Sequence, residues 1–183
     1  MLLALLAAPF WEAKDPSKWT EEELDSMFTH SPWARDIGTQ LYLASAQPMI
    51  DAEEQRRLRH SRKPGLEAPP AAEDDWREYL ATNRGKHIVI AVKVQDQNVL
   101  AEAEEVRRME KDSALRVGKK KIRMTGHFPP TPSDPYLRLL FPRVAEPGAK
   151  QIRVELYLPG VTMPFRGAEF DLKEMSYRGK VEF

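Results

Sequence analysis

The sequence predicts an α+β domain: a largely antiparallel sheet that ends in a C-terminal β-meander, with three to four helices drawn mainly from the first 112 residues. Three observations carry this expectation. Tyr136 to Phe183 holds four β-type runs separated by turns rich in Pro and Gly. The first half instead alternates helical and strand patterns, an order that suits helices against one face of a sheet. His87 to Val94 is apolar at nearly every position, the pattern of a central strand covered on both faces.

The chain has 183 residues, enough for one domain with a substantial core. Its 28 basic and 28 acidic residues cancel, so no global field steers it toward nucleic acid or an anionic membrane. The charge is unevenly placed: residues 1–50 carry 3 basic and 7 acidic side chains, residues 86–125 carry 10 and 6. There is no Cys, which excludes disulfides, thiolate nucleophiles and thiolate metal sites.

Met1-Leu2-Leu3-Ala4-Leu5-Leu6-Ala7-Ala8 is a bare apolar run. It is far shorter than the roughly 20 residues of a membrane span. Residues 1–9 read best as a signal-peptide remnant, which predicts export to the periplasm or the medium; the alternative is an apolar N-terminus packed on the domain. Residues 10–183 then form the single domain. Phe10 to Lys18 reads as an extended leader. Thr20 and Glu23 spell a capping box for a helix ending near His30, with Leu24, Met27 and Phe28 on one face. Pro32 stops it, because Ser31 before it is pushed out of the α region. Asp36 to Ala46 reads as a strand. Asp51 to Lys63 has helical propensity and little apolar face, and Pro64-Gly65 to Pro69-Pro70 is the clearest linker, so 52–72 is a candidate mobile insert.

Trp76, Tyr79 and Leu80 stripe a short helix stopped by Gly85. Asp96 can cap a helix running to about Lys111. Ala114 to Met124 reads as strand material turning at Gly118, and His127 to Pro135 as a rigid extended connection. The last run, Tyr177 to Phe183, reads as a hairpin about Arg178-Gly179 that closes the sheet.

Leu140-Phe141-Pro142-Arg143 and Phe170-Asp171-Leu172-Lys173-Glu174-Met175-Ser176-Tyr177-Arg178-Gly179-Lys180-Val181-Glu182 resemble the ending of a group of exported soil-bacterial proteins, F-P-R/K followed by F-x-L-K-x-M-x-Y-x-G-K-x-E. Trp19-Thr20, Ser31-Pro32-Trp33-Ala34 and Ala44-Ser45-Ala46-Gln47-Pro48 are similar to the same group, which often has Trp where this chain has Leu43-Ala44 before its Ser-Ala pair. The likeness is patchy between residues 52 and 135. It implies export and carries over no activity and no residue role. A second bacterial domain, named for Gly-Trp-x-Thr-Asp, is rejected because Lys18-Trp19-Thr20-Glu21 lacks both Gly and Asp.

Candidate chemistry is sparse. His30, His60, His87 and His127 form no His-x-x-x-His pair, and nothing calls for a metal or a cofactor. Ser31 with His30 and Asp36 is the only compact Ser-His-acid cluster, and it has no Gly-x-Ser-x-Gly elbow. The acids Glu21–Glu23 and Asp74–Asp75 sit at helix starts, where the dipole favours them. Five of the eight residues 116–123 are basic, and Lys119, Lys120, Lys121 and Arg123 are candidate anion contacts, although no aromatics interleave them for base stacking. Trp11, Trp19, Trp33 and Trp76 all fall in the first half and read as packing helices and turns onto the sheet; the minority reading is an exposed aromatic surface for a sugar or a partner, with Trp33 as its candidate. The expected function is a non-enzymatic exported binding or scaffolding domain, its partner an envelope protein or a glycan. The alternatives are a hydrolase whose site assembles only in the fold, from His127 or His87 with Ser31 or Asp36, and, more weakly, anionic-surface or nucleic-acid binding through residues 116–123.

Overall fold

Apolar residues recur at every second position in the two longest strands of one sheet, Gln151–Tyr157 and Phe165–Asp171, and run nearly unbroken in the two central strands of the other, His87–Lys93 and Tyr136–Pro142, so that both sheets offer a face to a shared core. The computed structural model describes residues 8–61, 72–96 and 98–183. Among them the α+β class holds: five α-helices, all before residue 113, and eleven strands whose pairings are all antiparallel. The helices are α1 (Phe10–Ala13), α2 (Glu21–Thr29), α3 (Gln47–Ser61), α4 (Ala72–Asn83) and α5 (Ala103–Asp112). The capping box starts α2 as read: Thr20 Oγ1 accepts from Glu23 N at 3.1 Å, and Glu23 Oε2 accepts from Thr20 N at 2.9 Å. Phe10 to Lys18 is not extended; it forms α1 and a short 3-10 turn, Pro16–Lys18, whose Asp15 cap accepts from Ser17 N.

The strands build two main sheets. The first has the order β1 (Ala34–Asp36), β2 (Gln40–Leu43), β3 (His87–Lys93), β7 (Tyr136–Pro142), β6 (Gly126–Phe128). The second has the order β5 (Lys120–Arg123), β4 (Ala114–Val117), β8 (Gln151–Tyr157), β9 (Phe165–Asp171). The C-terminal strands are therefore divided between sheets, and β7 does not pair with β8. The loop from Arg143 to Lys150 carries the chain from one sheet to the other.

Register assigns the faces, because residues opposite each other share one. Tyr42, Ala91 and Arg138 are in line, with Phe128 beyond, on the face of the first sheet beneath α2, α3 and α4. Leu41, Val92 and Leu137 are in line on the other face. That face joins the second sheet's Leu115, Ile152, Val154 and Phe170 in one continuous core. The order of layers is α2 to α4, sheet, sheet, with α5 packed against β8 of the second sheet through Glu105 and Arg108 on Tyr157. This explains the unbroken apolar run of β3, whose residues Ile88 to Val92 are all buried.

Several boundaries moved. Asp36 to Ala46 is not one strand, because Gly38, at φ 83°, turns the chain between β1 and β2. Residues 52–61 of the expected insert belong to α3; residues 62–71 lie outside the described residues, as do residues 1–7 of the apolar N-terminus. Helix α5 begins at Ala103, and Asp96 instead caps a turn through Asn98 N at 2.8 Å. The Pro-rich connection contains β6, which pairs with β7 ahead of its first proline.

The last hairpin, β10 (Ser176–Tyr177) with β11 (Lys180–Val181), pairs only with itself and closes neither sheet. Arg178 and Gly179, at φ 51° and 74°, make its turn, the conformation a two-residue hairpin loop requires. Its anchor is Tyr177, which is buried and donates to Asp51 Oδ2 at 2.6 Å. Val181 is 55% exposed. Val181→Asp is therefore expected to leave the melting temperature nearly unchanged, whereas deleting residues 177–183 lowers it by several degrees. Paired thermal melts check this, and a large loss from Val181→Asp alone would contradict the placement.

Candidate functional site

Arg138 interrupts an otherwise apolar strand, and its burial determines what surrounds it. It is 5% exposed at the centre of β7, beneath α3 and α4. An unpaired charge there would be strongly destabilising. Glu53 of α3 accepts from Arg138 Nη2 at 3.1 Å, and Asp134, just before β7, accepts from Nη1. Glu53 also accepts from the Tyr42 hydroxyl at 2.6 Å and from the Trp76 indole N–H at 3.0 Å. The guanidinium carbon lies 4.9 Å from the Trp76 ring centroid. Burial alone would weaken Arg138 as a base, but the charges of Glu53, Tyr42 and Asp134 more than offset it and hold the guanidinium protonated. Burial, and then the charge on Glu53, push the Tyr42 hydroxyl well above its ordinary value of 10.0. This is a buried ionic cluster in which one guanidinium is shared by two carboxylates, and it ties helices to sheet.

The sequence candidates fall elsewhere. Trp33 is not an exposed contact. It is completely buried, edge-on to Trp11 and Tyr177, with its indole N–H donating to Glu182 O at 2.6 Å. Trp19 and Trp76 are buried as well, and Trp11 is half-buried. Lys119, Lys120, Lys121 and Arg123 lie along the β4–β5 hairpin at the edge of the second sheet, all exposed. Lys120 pairs with Glu146 at 3.1 Å and Lys121 with Glu155 at 3.8 Å, and Glu155 also binds Arg116 at 2.7 Å. Those acids lie far away in sequence and offset much of the basic run. Charged side chains on an edge strand also discourage edge-to-edge pairing.

The residues of the hydrolytic alternative are kept apart. Ser31 is buried, donating to Met27 O at 2.5 Å, while His30 pairs with Thr29 Oγ1 at 2.7 Å. Asp36 Oδ1 accepts from Gly38 N in the β1–β2 turn. His87 Nδ1 lies 2.6 Å from the Tyr79 hydroxyl, and burial lowers the basicity of its ring. His127 sits on β6, the opposite edge strand from β1. Among the described residues no group of three or more His, Asp or Glu is placed to hold a metal, and no helix is long and apolar enough to cross a membrane.

Three surface features remain. One is a polar groove of about 470 Å³ between α3 and the last hairpin, lined by Asp15, Gln47, Asp51, Glu54, Tyr177 and Arg178. A second, of about 750 Å³, opens beside the β7–β8 loop. The third is the β8–β9 hairpin tip. From Leu158 to Phe165 it carries no charge, and it exposes Met163 (71%), Phe165 (64%) and Val161 (45%). The tip is held in shape: Leu158 N donates to Pro164 O at 2.8 Å, and Phe165 packs edge-on against Tyr157 at 5.3 Å. Sequence reading missed it, although eight uncharged residues containing Pro159, Gly160 and Pro164 were a usable signal. Compared with protein-family models, with curated proteins and with solved structures, the chain matches none.

The buried phenols set an alkaline limit. Tyr42, Tyr136 and Tyr177 are all raised above 10.0, chiefly by burial. A raised folded pKa contributes stability that is fully present below the unfolded value and is lost as pH rises through the folded one. Unfolding free energy from urea titrations is expected to fall above about pH 10, and Tyr42→Phe to shallow that fall while removing about 1 kcal/mol near pH 7. An unchanged alkaline slope in Tyr42→Phe would contradict the assignment.

Proposed function

We propose that the protein is a non-enzymatic, exported binding or scaffolding domain of the bacterial cell envelope, and that it engages a partner through the tip of the β8–β9 hairpin. The observation that carries this reading is the exposure of Val161, Met163 and Phe165 on one hairpin tip whose own residues, Leu158 to Phe165, carry no charge. Nearly every other large apolar side chain among the described residues is at least partly buried; Val181 is the exception. Apolar groups held in water contribute nothing to folding, and a contiguous patch of them is the usual mark of a contact surface. A shape already fixed by hydrogen bonds and ring packing reduces the ordering cost of association. An apolar tip favours a protein surface over a glycan, whose hydroxyls would find few partners there. Export is supported by the apolar run at Met1 to Ala8 and by the resemblance of the C-terminal segment to exported proteins.

The test is a photo-activatable residue placed at Met163, with Lys119 as the control position, in envelope preparations of the source cells. A discrete adduct at 163, lost when Phe165→Ser and Val161→Ser are added, is expected. These exposed positions tolerate serine, so the melting temperature is expected to stay within a few degrees. Absence of any adduct, or the same adducts at both positions, would overturn the reading.

A further inference from the structure

The second groove, about 750 Å³, lies where the chain passes from one sheet to the other, at the side of the molecule that carries the last hairpin. That volume falls within the usual range for small-molecule sites. Its lining divides into two kinds. Val117, Val144, Ala149, Leu172, Val181 and Phe183 supply an apolar wall, and Arg143, Lys150 and Lys173 supply cations. No Ser, Thr, Asn, Gln or Tyr is among the lining residues. Glu146 is the one acid in the lining, and it is engaged by Lys120 at 3.1 Å. Neither Lys150 nor Lys173 has an ion-pair partner among the described residues.

Arg143 is fixed in place. Its Nη2 donates to Phe183 O, its guanidinium carbon lies 4.9 Å from the Phe183 ring centroid, and its own N–H donates to Lys86 O at 2.8 Å. Desolvation lowers its basicity, only partly opposed by the charge on Glu182. Beyond its bond to Phe183 O, its Nε is buried with no hydrogen-bond partner among the described residues, and a half-buried guanidinium attracts an anion more strongly than a solvated one does.

The geometry points to this groove as a binding site for a fatty acyl carboxylate, its hydrocarbon tail on the Val117–Leu172–Val181 wall and its carboxylate among Arg143, Lys150 and Lys173. Charge complementarity selects the anion. The apolar wall, with no neutral polar side chain in the lining, favours a hydrocarbon tail. The site is independent of the β8–β9 tip, so either can fail without the other.

The test is calorimetric titration of the intact protein with decanoate below its micelle-forming concentration, with methyl NMR to locate it. Acetate controls for head without tail, decyltrimethylammonium for tail with the opposite charge, and N-acetyl-Leu-Leu for a peptide carboxylate. One saturable decanoate site is expected, shifting the methyls of Val144, Leu172 and Val181. Each control binds at least about tenfold more weakly, and Lys150→Glu/Lys173→Glu weakens decanoate by about tenfold or more with an unchanged melt. The assignment is overturned if the cationic amphiphile binds equally, if N-acetyl-Leu-Leu binds more tightly, if the shifted methyls are those of Val161 and Met163, or if the charge-reversed variant binds like wild type.

Discussion

A single guanidinium in the middle of β7 constrains much of what surrounds it. Arg138 stands where a central strand would ordinarily place an apolar residue, and a charge at that depth is tolerated only when paired and hydrogen-bonded. The pairing reaches outward in two directions. Glu53 brings α3 down onto the sheet; its Oε1 accepts from Arg138 and from Tyr42 of β2, and its Oε2 from Trp76 of α4. Asp134 fixes the Pro-rich approach to β7. One cluster therefore positions two helices, two strands and a loop. It also accounts for residues that would otherwise invite a catalytic reading, since its acids, phenol and indole already satisfy one another.

A second set of contacts joins the two ends of the described chain. Trp33 lies between Trp11 of α1 and Tyr177 of β10, and Ser176 Oγ donates to Glu12 Oε1 at 2.7 Å. The last hairpin, although outside both sheets, is thus held against α1 and α3, and it forms one wall of each groove. What projects from this frame is the β8–β9 tip. Its apolar side chains and the cation-rimmed groove are separate features of different chemistry, one suited to a protein surface and the other to an amphipathic anion. Both fit a domain that holds other molecules in place.

The legible parts of the sequence were those specified by local chemistry. Thr20 with Glu23 fixed the start of α2, Gly118 the β4–β5 turn, Arg178-Gly179 the last turn, and the apolar run at His87 the doubly covered strand. The misread parts depend on distant partners. Tyr136 to Phe183 looks like one meander because four strand-like runs follow one another with Pro and Gly turns between them, but a strand pattern says nothing about which sheet receives the strand. The Gly126–Phe128 strand was hidden by the prolines after it. Trp33 looked like an exposed contact because nothing local shows that Trp11, Tyr177 and Glu182 enclose it. Lys120 and Lys121 looked free because their acids, Glu146 and Glu155, lie more than 20 residues away. Arg138 was a visible anomaly within Tyr136–Phe141, and an arginine inside an apolar strand was the signal that could have located the buried cluster.

The coupling between Arg138 and Glu53 is the interaction that holds α3 to the sheet. A double-mutant cycle of Arg138→Met and Glu53→Leu, read by urea unfolding, measures it. Arg138→Met is expected to cost about 3–5 kcal/mol by leaving Glu53 and Asp134 without their cation, and Glu53→Leu less, about 1.5–3 kcal/mol, because Asp134 still pairs with Arg138. The double variant is expected to lose less than the sum of the two by about 1–3 kcal/mol. Costs that add to within about 0.5 kcal/mol would mean that the two residues do not act together and that the helices are held to the sheet by apolar packing alone.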